Sequence, residues 1–194
     1  MSGLPICTVQ TDNTSAAKDL TSYLFDQGHT KIGLITSDSS VATIDERVNG
    51  FLATHIERNM SVQNSQLLST IDSVVPGSKR GFSEDITTIT TFIRDNSNIT
   101  AIFTTEFNIA LLTMDAMQQL GKKIPDDISL VCFDHAPLST FEQETNMITH
   151  IEQNQTEMGE KAIQLLLRKI KNPNLIEKIN LDYHLKEGNT VKKV

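Results

Sequence analysis

A carboxylate and an imidazole stand together where an apolar stretch of the chain ends. Residues 124–135 read IPDDISLVCFDH, and the part from Ile128 to Phe133 is almost entirely apolar. Such a run is typical of a strand that is covered on both faces. Asp134 and His135 therefore follow the carboxyl end of a predicted buried strand, which is the edge where open parallel sheets bind ligands.

Other groups that can hold a ligand lie at the ends of the predicted strands. These stretches are residues 36–40, 104–107 and 134–137. Arg47, near the start of a predicted helix, can reach the same opening. Asp134 would accept hydrogen bonds from hydroxyl groups, Arg47 would donate through a planar fork, and Phe107 would offer an apolar face. This combination of side chains suits a polyhydroxylated ligand.

Each of these residues also has a simpler structural interpretation. Asp134 can cap the turn that follows it. Arg47 stands among the charges of IDERV, a pattern typical of a solvated helix residue. Phe107 is an ordinary packing residue at a helix entry, and His29 can complement the dipole at a helix end. Residue type and spacing alone leave these alternatives open.

The sequence gives little support to an enzyme. It contains no P-loop, GxGxxG, nucleophile elbow or HExxH motif. The histidines are scattered singly, at positions 29, 55, 135, 150 and 184. A hydrolase needs a positioned nucleophile and base, and no pair of that kind is recognisable. We therefore predict a non-enzymatic protein without a metal ion or a cofactor.

Helix and strand patterns alternate along the chain. Predicted helices cover residues 12–28, 44–58, 83–96, 108–120 and 155–171. Predicted strands cover residues 31–36, 62–68, 99–104, 128–133, 147–151 and 179–185. Strands separated by helices of this length indicate βαβ units and a parallel sheet flanked by helices. The predicted fold class is α/β.

Composition narrows the class of protein further. The 194 residues carry a net charge of -7 with a pI near 5.2, which argues against a nucleic-acid-binding surface. The start of the sequence lacks the basic and apolar regions of a secretory signal. Cys7 and Cys132 are far apart and have no CxxC partner, which predicts reduced thiols and a cytoplasmic protein.

Five stretches together resemble one family, the LacI/GalR transcriptional regulators. They are YLFDQGHTKIGLI (23–35), ERVNGF (46–51), TAIFTTEFNIAL (100–111), GKKIPDDISLVCFDH (121–135) and NMITHIEQNQTEMGEKAIQLLL (146–167). They resemble the family's YL...GH..I..I, R..GF, TAIF..ND..A, G...P.DiSvvGFDd and LTT..Q....G..A...L. The stretches occur in the family's order and near its spacing, and the resemblance covers the chain from about Thr11 to Leu167.

The resemblance implies an effector-binding domain of the periplasmic-binding-protein-like type, whose two lobes hold a sugar or a related metabolite. In that family the arginine of R..GF and the first aspartate of GFDD hold the effector, and these positions are Arg47 and Asp134 here. Glu106 and Phe107 replace the family's usual Asn-Asp, and His135 replaces the second aspartate. All five residues are therefore candidate ligand-binding residues.

The resemblance also implies a division of the chain. The expected parts are a residual N-terminal segment (1–10), the C-terminal lobe (11–145), a segment returning to the N-terminal lobe (146–173) and a final strand with the tail (174–194). DNA is expected as a partner only through an N-terminal domain that is missing here. A transport-type sugar-binding protein of the same fold is the alternative.

The predicted helix 155–171 leads to an expectation about assembly. Its apolar stripe would have its usual partner in the missing lobe, and an uncovered stripe favours association. We expect the stripe to pack on its own lobe, on a neighbouring chain or in a swapped arrangement, and the protein to be a homodimer.

Overall fold

The fold combines one large sheet with a small second one. The structure is a computed structural model and describes residues 6–37, 41–135 and 147–194. The strands are β1 (Thr8–Thr11), β2 (Ile32–Ser37), β3 (Leu67–Ile71), β4 (Ala101–Thr104), β5 (Ser129–Phe133), β6 (Thr149–Gln153), β7 (Lys178–Leu181) and β8 (Tyr183–Lys186). The helices are α1 (Asn13–Asp26), α2 (Ala42–Glu57), α3 (Phe82–Asp95), α4 (Phe107–Gln119) and α5 (Gln155–Lys171).

Within the described residues, the large sheet has six strands in the order β3-β2-β4-β5-β6-β8. All neighbouring pairs are parallel except β6 with β8, which is antiparallel. The parallel strands that helices connect form the expected βαβ units, so the predicted α/β class is confirmed. β1 and β7 form a separate two-stranded parallel sheet.

The core lies on both faces of the large sheet. Alternate strand residues point to opposite faces, so Phe103 of β4 packs with α1 and α2 while Ile102 packs with α3 and α4. Both side chains are fully buried, as is Phe133 at the end of β5. The short apolar runs of the sequence are thus strands covered by helices on each side, as predicted.

The start and end of α1 follow from local sequence chemistry. The Asp12 carboxylate accepts a hydrogen bond from the backbone N–H of Ser15 at 3.0 Å, which caps the first turn. Gly28 has a φ of 95°, a left-handed conformation that ends a helix at little cost for glycine. Both features agree with the predicted helix over 12–28.

Two predicted extended segments differ in detail from the structure. The predicted strand 62–68 is instead a 3₁₀ turn at Asn64–Gln66 followed by β3. The predicted strand 179–185 is interrupted at Asp182 and divides into β7 and β8, which join different sheets. An alternating pattern predicts a strand, but it carries no information about the sheet that the strand joins.

The segment 146–173 is also divided in the structure. Residues 149–153 form β6 inside the large sheet, between β5 and β8, and only α5 packs beside β1 of the small sheet. The expected division of the chain, with residues 146–173 returning to an N-terminal lobe, stays a prediction. None of the helices in the described parts of the chain combines the length and the hydropathy of a membrane-spanning segment.

Candidate functional site

One cavity lies at the carboxyl ends of β2, β4 and β5. It has a volume of about 390 Å³ and is bounded by charged, polar and apolar side chains. The lining residues are Ser37, Val41, Thr43, Ile44, Arg47, Val74, Val75, Pro76, Glu106, Phe107, Asn108 and Asp134. The loops after the strands and the first turns of α2 and α4 therefore meet at the edge where a parallel sheet binds ligands.

Arg47 is buried at this cavity rather than solvated. Its Nε donates to Asn13 Oδ1 at 2.9 Å, and its Nη1 donates to the Thr105 carbonyl at 2.7 Å. Its guanidinium carbon lies 4.1 Å from the centre of the Phe133 ring. These contacts use two of the five N–H donors of a guanidinium. The side chain is held in one orientation, and further donors remain for a ligand.

The charges around Arg47 are arranged to keep it protonated. Burial lowers the pKa of Arg47 from its ordinary value, and the nearby carboxylates of Asp134, Glu106 and Glu46 oppose that shift. Electrostatic attraction thus compensates part of the desolvation of the cation. The cavity contains one buried cation and two carboxylates, Glu106 and Asp134, in its lining.

Asp134 begins the loop after β5 in a conformation that few residues adopt. Its φ is 62°, in the left-handed region that aspartate tolerates better than most side chains. Its backbone N–H donates to the Ile151 carbonyl at 2.9 Å. Gln153 Nε2 donates to both carboxylate oxygens, at 2.9 and 2.8 Å. The turn that Asp134 was alternatively expected to cap lies outside the described residues.

Glu106 and Phe107 occupy the junction between β4 and α4. Glu106 is the N-cap residue of α4, but its side chain makes no capping hydrogen bond. Its Oε2 is buried and has no hydrogen-bond partner among the residues that the structure describes. A buried acceptor without a partner is destabilising, so a donor on a bound molecule would be favourable here. Phe107 lines the same cavity and is not wholly buried in the core.

His135 lies beside this cavity but not in its lining. Its ring makes an edge contact with Phe107 at 5.3 Å and lies 5.2 Å from the His150 ring, measured between ring centres. It lines a neighbouring cavity of about 300 Å³ together with Asp134 and Gln153. Four of the five candidate residues therefore meet at one opening, and His135 stands behind Phe107. The candidate positions 38–40, 136 and 137 lie outside the described residues.

Sequence reasoning missed the residues that support Arg47 and Asp134. Asn13 lies at the start of the predicted helix 12–28 and had no role in the predicted site, yet its side chain is buried, accepts from Arg47 and donates to the Thr11 carbonyl at 3.0 Å. Gln153 was included only as the glutamine of a motif. Both amides lie beside short links between the two sheets, at the start of α1 and the end of β6. Only the tertiary structure reveals these contacts.

One wall of the cavity depends on an ion pair between a buried carboxylate and a partly exposed arginine. Asp85 is fully buried, and its Oδ2 accepts from the backbone N–H groups of Asp72 and Ser73 at 3.0 and 2.7 Å. Its Oδ1 lies 2.8 Å from Arg80 Nε. These contacts fix both ends of the loop that carries the lining residues 74–76. Asp85 therefore shapes the cavity without lining it.

Metal-ligating and thiol side chains are present among the described residues. Among residues 6–37, 41–135 and 147–194, no group of three or more His, Cys, Asp or Glu side chains is placed to hold a metal ion. Cys132 is buried, and its thiol donates to the Asp134 carbonyl at 3.1 Å. Burial raises the pKa of this thiol well above its ordinary value, and Asp134 adds to the shift.

Comparison with known proteins defines the class. The sequence pattern of the periplasmic binding protein-like domain matches residues 21–191, and the chain belongs to that family. It is 30% identical over 151 residues to the transcriptional repressor PurR of Aliivibrio fischeri, covering 78% of this chain and 42% of the relative. It is 29% identical over 154 residues to the ribose operon repressor of Haemophilus influenzae, covering 79% and 43%. The chain thus spans less than half of either relative.

Solved structures share the fold. A LacI family regulator from Enterococcus faecium with bound ribose aligns with a TM-score of 0.80 and 22% identity, covering 100% of this chain and 68% of that one. The complex of the regulator CelR with cellobiose aligns with a TM-score of 0.81 and 18% identity, covering 96% and 54%. The resemblance to LacI-type effector-binding domains is confirmed at the level of family and fold.

Proposed function

We propose that this chain is the effector-binding domain of a LacI/GalR-type transcriptional regulator, and that its cavity binds a small hydroxyl-bearing effector, either a sugar or a related metabolite. The observation that carries the proposal is the position of Arg47 and Asp134 in the lining of one cavity. Each is also held by an amide side chain: Arg47 donates to Asn13, and Asp134 accepts from Gln153. A site whose polar groups are already oriented loses less entropy when a ligand binds.

The lining offers complementary groups for a polyhydroxylated molecule. Arg47 supplies N–H donors, while Asp134 and Glu106 supply acceptors for hydroxyl protons. Phe107 supplies an apolar ring, and carbohydrates present C–H faces as well as hydroxyls. A volume of about 390 Å³ falls in the range of small-molecule sites. His135 is proposed to act on the ligand through its contact with Phe107.

The relatives and structural neighbours support this assignment. The relatives described above are named as repressors, which favours a regulator over a transport-type binding protein. Two neighbours are described with ribose and cellobiose bound, which supports a sugar as the class of effector. A net charge of -7 makes this chain itself a poor DNA ligand. We propose that DNA is contacted by other parts of a regulator that acts in the cytoplasm without catalysing a reaction.

The topology suggests how binding would be transmitted. In the part of the chain that the structure describes, three short links join the small and large sheets: between β1 and α1, between β6 and α5, and between β7 and β8. Asn13 and Gln153 lie at two of these links. An effector that binds one relative orientation of the two parts more tightly would shift the equilibrium towards it. In a regulator, the difference in effector affinity between the two orientations couples effector binding to DNA binding.

The proposal is tested by thermal unfolding of the purified chain with a panel of sugars and nucleosides. A ligand present at about 100 times its dissociation constant stabilises the folded state by about 2.7 kcal/mol. We expect one chemical class to raise the melting temperature. The increase should disappear in Arg47→Ala and Asp134→Asn and persist in the exposed controls Arg94→Ala and Asp115→Asn. Equal responses of all four variants would exclude this cavity as the site.

A further inference from the structure

Two polar atoms in the lining of the Arg47 cavity lack hydrogen-bond partners. They are Glu106 Oε2 and Ser37 Oγ; both are buried, and neither is paired with any residue that the structure describes. Ser37 as a whole is only 4% exposed. A buried polar group without a partner costs free energy. A bound molecule that pairs with both atoms would remove this cost, so the two atoms indicate which groups the molecule carries.

The large sheet places Ser37 and Glu106 side by side. β2 and β4 are neighbouring parallel strands, and Thr105 Oγ1 donates to Thr36 Oγ1 at 2.8 Å where the two strands end. Ser37 and Glu106 each follow this pair by one residue, and the backbone of Glu106 is still extended. Neighbouring strands lie about 4.8 Å apart. One small group of a ligand can therefore contact both side chains at the mouth of the cavity.

The charges of the lining do not favour an anion. Among the described lining residues, Arg47 supplies one positive charge while Glu106 and Asp134 supply two negative charges, so the formal sum is -1. Burial lowers the pKa of the guanidinium, and the carboxylates that oppose this shift are those of Asp134, Glu106 and Glu46. Acidic groups of the protein therefore already compensate the cation. An anionic ligand would be repelled by the same carboxylates.

Two helices, α2 and α4, begin at this cavity, and helix N-termini ordinarily attract anions. Here each N-terminus carries a carboxylate of the protein itself. Glu106 is the N-cap residue of α4, and Asp45 lies in the first turn of α2. These carboxylates complement the helix dipoles as a bound phosphate would. The positive ends of both helices are therefore compensated before a ligand arrives.

We propose that Glu106 and Ser37 select an effector without negative charge, namely a neutral sugar or an amino sugar, and exclude sugar phosphates and sugar acids. This inference rests on the proposed function and adds the charge of the effector and the residues that recognise it. A sugar hydroxyl donates to Glu106 Oε2 and accepts from the Ser37 hydroxyl, whereas a protonated amine donates to both oxygens. An ionised carboxylate or phosphate group instead places a like charge beside Glu106, which is unfavourable.

The test compares matched sugars that differ in charge. Glucose, glucosamine, glucuronate and glucose 6-phosphate form one set, and ribose with ribose 5-phosphate forms a second. Thermal unfolding and titration calorimetry of the 194-residue chain measure the binding of each compound. In at least one set a neutral or amino sugar should bind, and its anionic counterpart should bind at least tenfold more weakly.

The outcomes separate this inference from the proposed function. An anionic sugar that binds as tightly as its neutral counterpart would overturn the charge selection and leave effector binding intact. Binding of no member of either set would overturn the inference as well, whereas the proposed function is then decided by the wider panel of sugars and nucleosides.

Glu106→Gln tests the residue that recognises the charge, because it keeps the size of the side chain. The measured quantity is the ratio of the affinities for the neutral and the anionic sugar, in which a general weakening of binding cancels. We expect this ratio to fall about tenfold, since a like charge near the ligand is lost. Glu160→Gln, at an exposed position of α5, makes the same change in net charge and should leave the ratio unchanged. An unchanged ratio in Glu106→Gln would overturn the inference.

Ser37→Ala separates a role in binding from a role in folding. The Ser37 hydroxyl makes no hydrogen bond to the residues that the structure describes, so its removal should not lower the urea midpoint of the free protein. It should weaken binding of the neutral sugar about fivefold, because the ligand loses a partner. Ser61→Ala, at an exposed position, should change neither quantity. A lower urea midpoint with unchanged affinity in Ser37→Ala would make this serine structural and overturn the proposed pair.

Discussion

Gln153 donates from one amide nitrogen to both carboxylate oxygens of Asp134, at 2.9 and 2.8 Å. Asp134 lies at the mouth of the candidate cavity, whereas Gln153 is the last residue of β6, immediately before the chain turns into α5. The amide therefore joins the proposed effector contact to one of the links between the two sheets. A ligand hydroxyl that binds Asp134 competes for the same lone pairs of its carboxylate. Binding in the cavity would therefore affect the hydrogen bonds between Gln153 and Asp134 at this link.

We predict that Gln153→Ala weakens effector binding about tenfold without unfolding the protein. Hydrogen bonds to a charged group contribute roughly 1.5–3 kcal/mol, and the partial exposure of this pair reduces that value. Gln153→Glu should weaken binding further, because it places a second carboxylate against Asp134. Titration calorimetry with the compound found in the thermal screen measures both effects. Gln164→Ala, an exposed glutamine on α5, is the control, and equal affinities for all variants would remove Gln153 from the site.

Arg47→Lys tests whether the fork of the guanidinium matters more than its charge. Lysine keeps the positive charge but cannot donate simultaneously to Asn13 Oδ1, to the Thr105 carbonyl and to a ligand. We expect effector affinity to fall at least tenfold. The loss of one or both buried hydrogen bonds should also lower the free energy of unfolding by about 1–3 kcal/mol.

Urea denaturation and calorimetry separate these two consequences of Arg47→Lys. Arg94→Lys, on the exposed surface of α3, should change neither quantity. If Arg47→Lys binds the effector as tightly as the wild type, charge alone is sufficient and the fork has no role in recognition.

Asp85 gives a prediction about the cavity wall. Removing one partner of a buried ion pair leaves the other uncompensated and typically costs about 3–5 kcal/mol. Arg80 keeps some exposure to solvent, with 27% of its side chain accessible, which reduces the effect. We expect Asp85→Ala to lower the free energy of unfolding by about 3 kcal/mol and to increase amide hydrogen exchange in residues 72–76.

The double variant Arg80→Met with Asp85→Leu tests the role of Asp85 more sharply. It should recover part of the stability, because apolar side chains leave no charge without a partner. It should not recover the slow hydrogen exchange of residues 72–76, because Leu cannot accept from the backbone N–H groups of Asp72 and Ser73. Unchanged exchange in Asp85→Ala would contradict a role for this carboxylate in holding the wall.

The local features of the fold were predictable because they depend on neighbouring residues. The apolar run up to Phe133 and the start of the helix predicted over 12–28 contain their own structural signal. The burial of Arg47 was not predictable from its helix, since its partner Thr105 is 58 positions away in the sequence. The division of the last strand at Asp182 is equally non-local. The family resemblance and the polar residues at the ends of the predicted strands indicated the position of the candidate cavity. The contacts of the supporting amides, Asn13 and Gln153, depend on the tertiary structure and were not predicted.

The stability of the protein should fall between pH 7.5 and pH 5.5 because of two buried imidazoles. His29 contacts the Thr100 hydroxyl at 2.9 Å and the Lys192 carbonyl at 3.0 Å, and His55 packs between the rings of Phe25 and Phe51. Burial lowers the pKa of both histidines below 6.5, the value expected in the unfolded chain. As the pH falls through 6.5, the unfolded state therefore binds protons that the folded state does not, and stability is lost.

Urea midpoints measured between pH 7.5 and pH 5.5 test this argument. They should decrease for the wild type and for His184→Gln, an exposed control, and decrease less for His29→Gln. A decrease of equal size in His29→Gln would show that other groups cause the acid sensitivity.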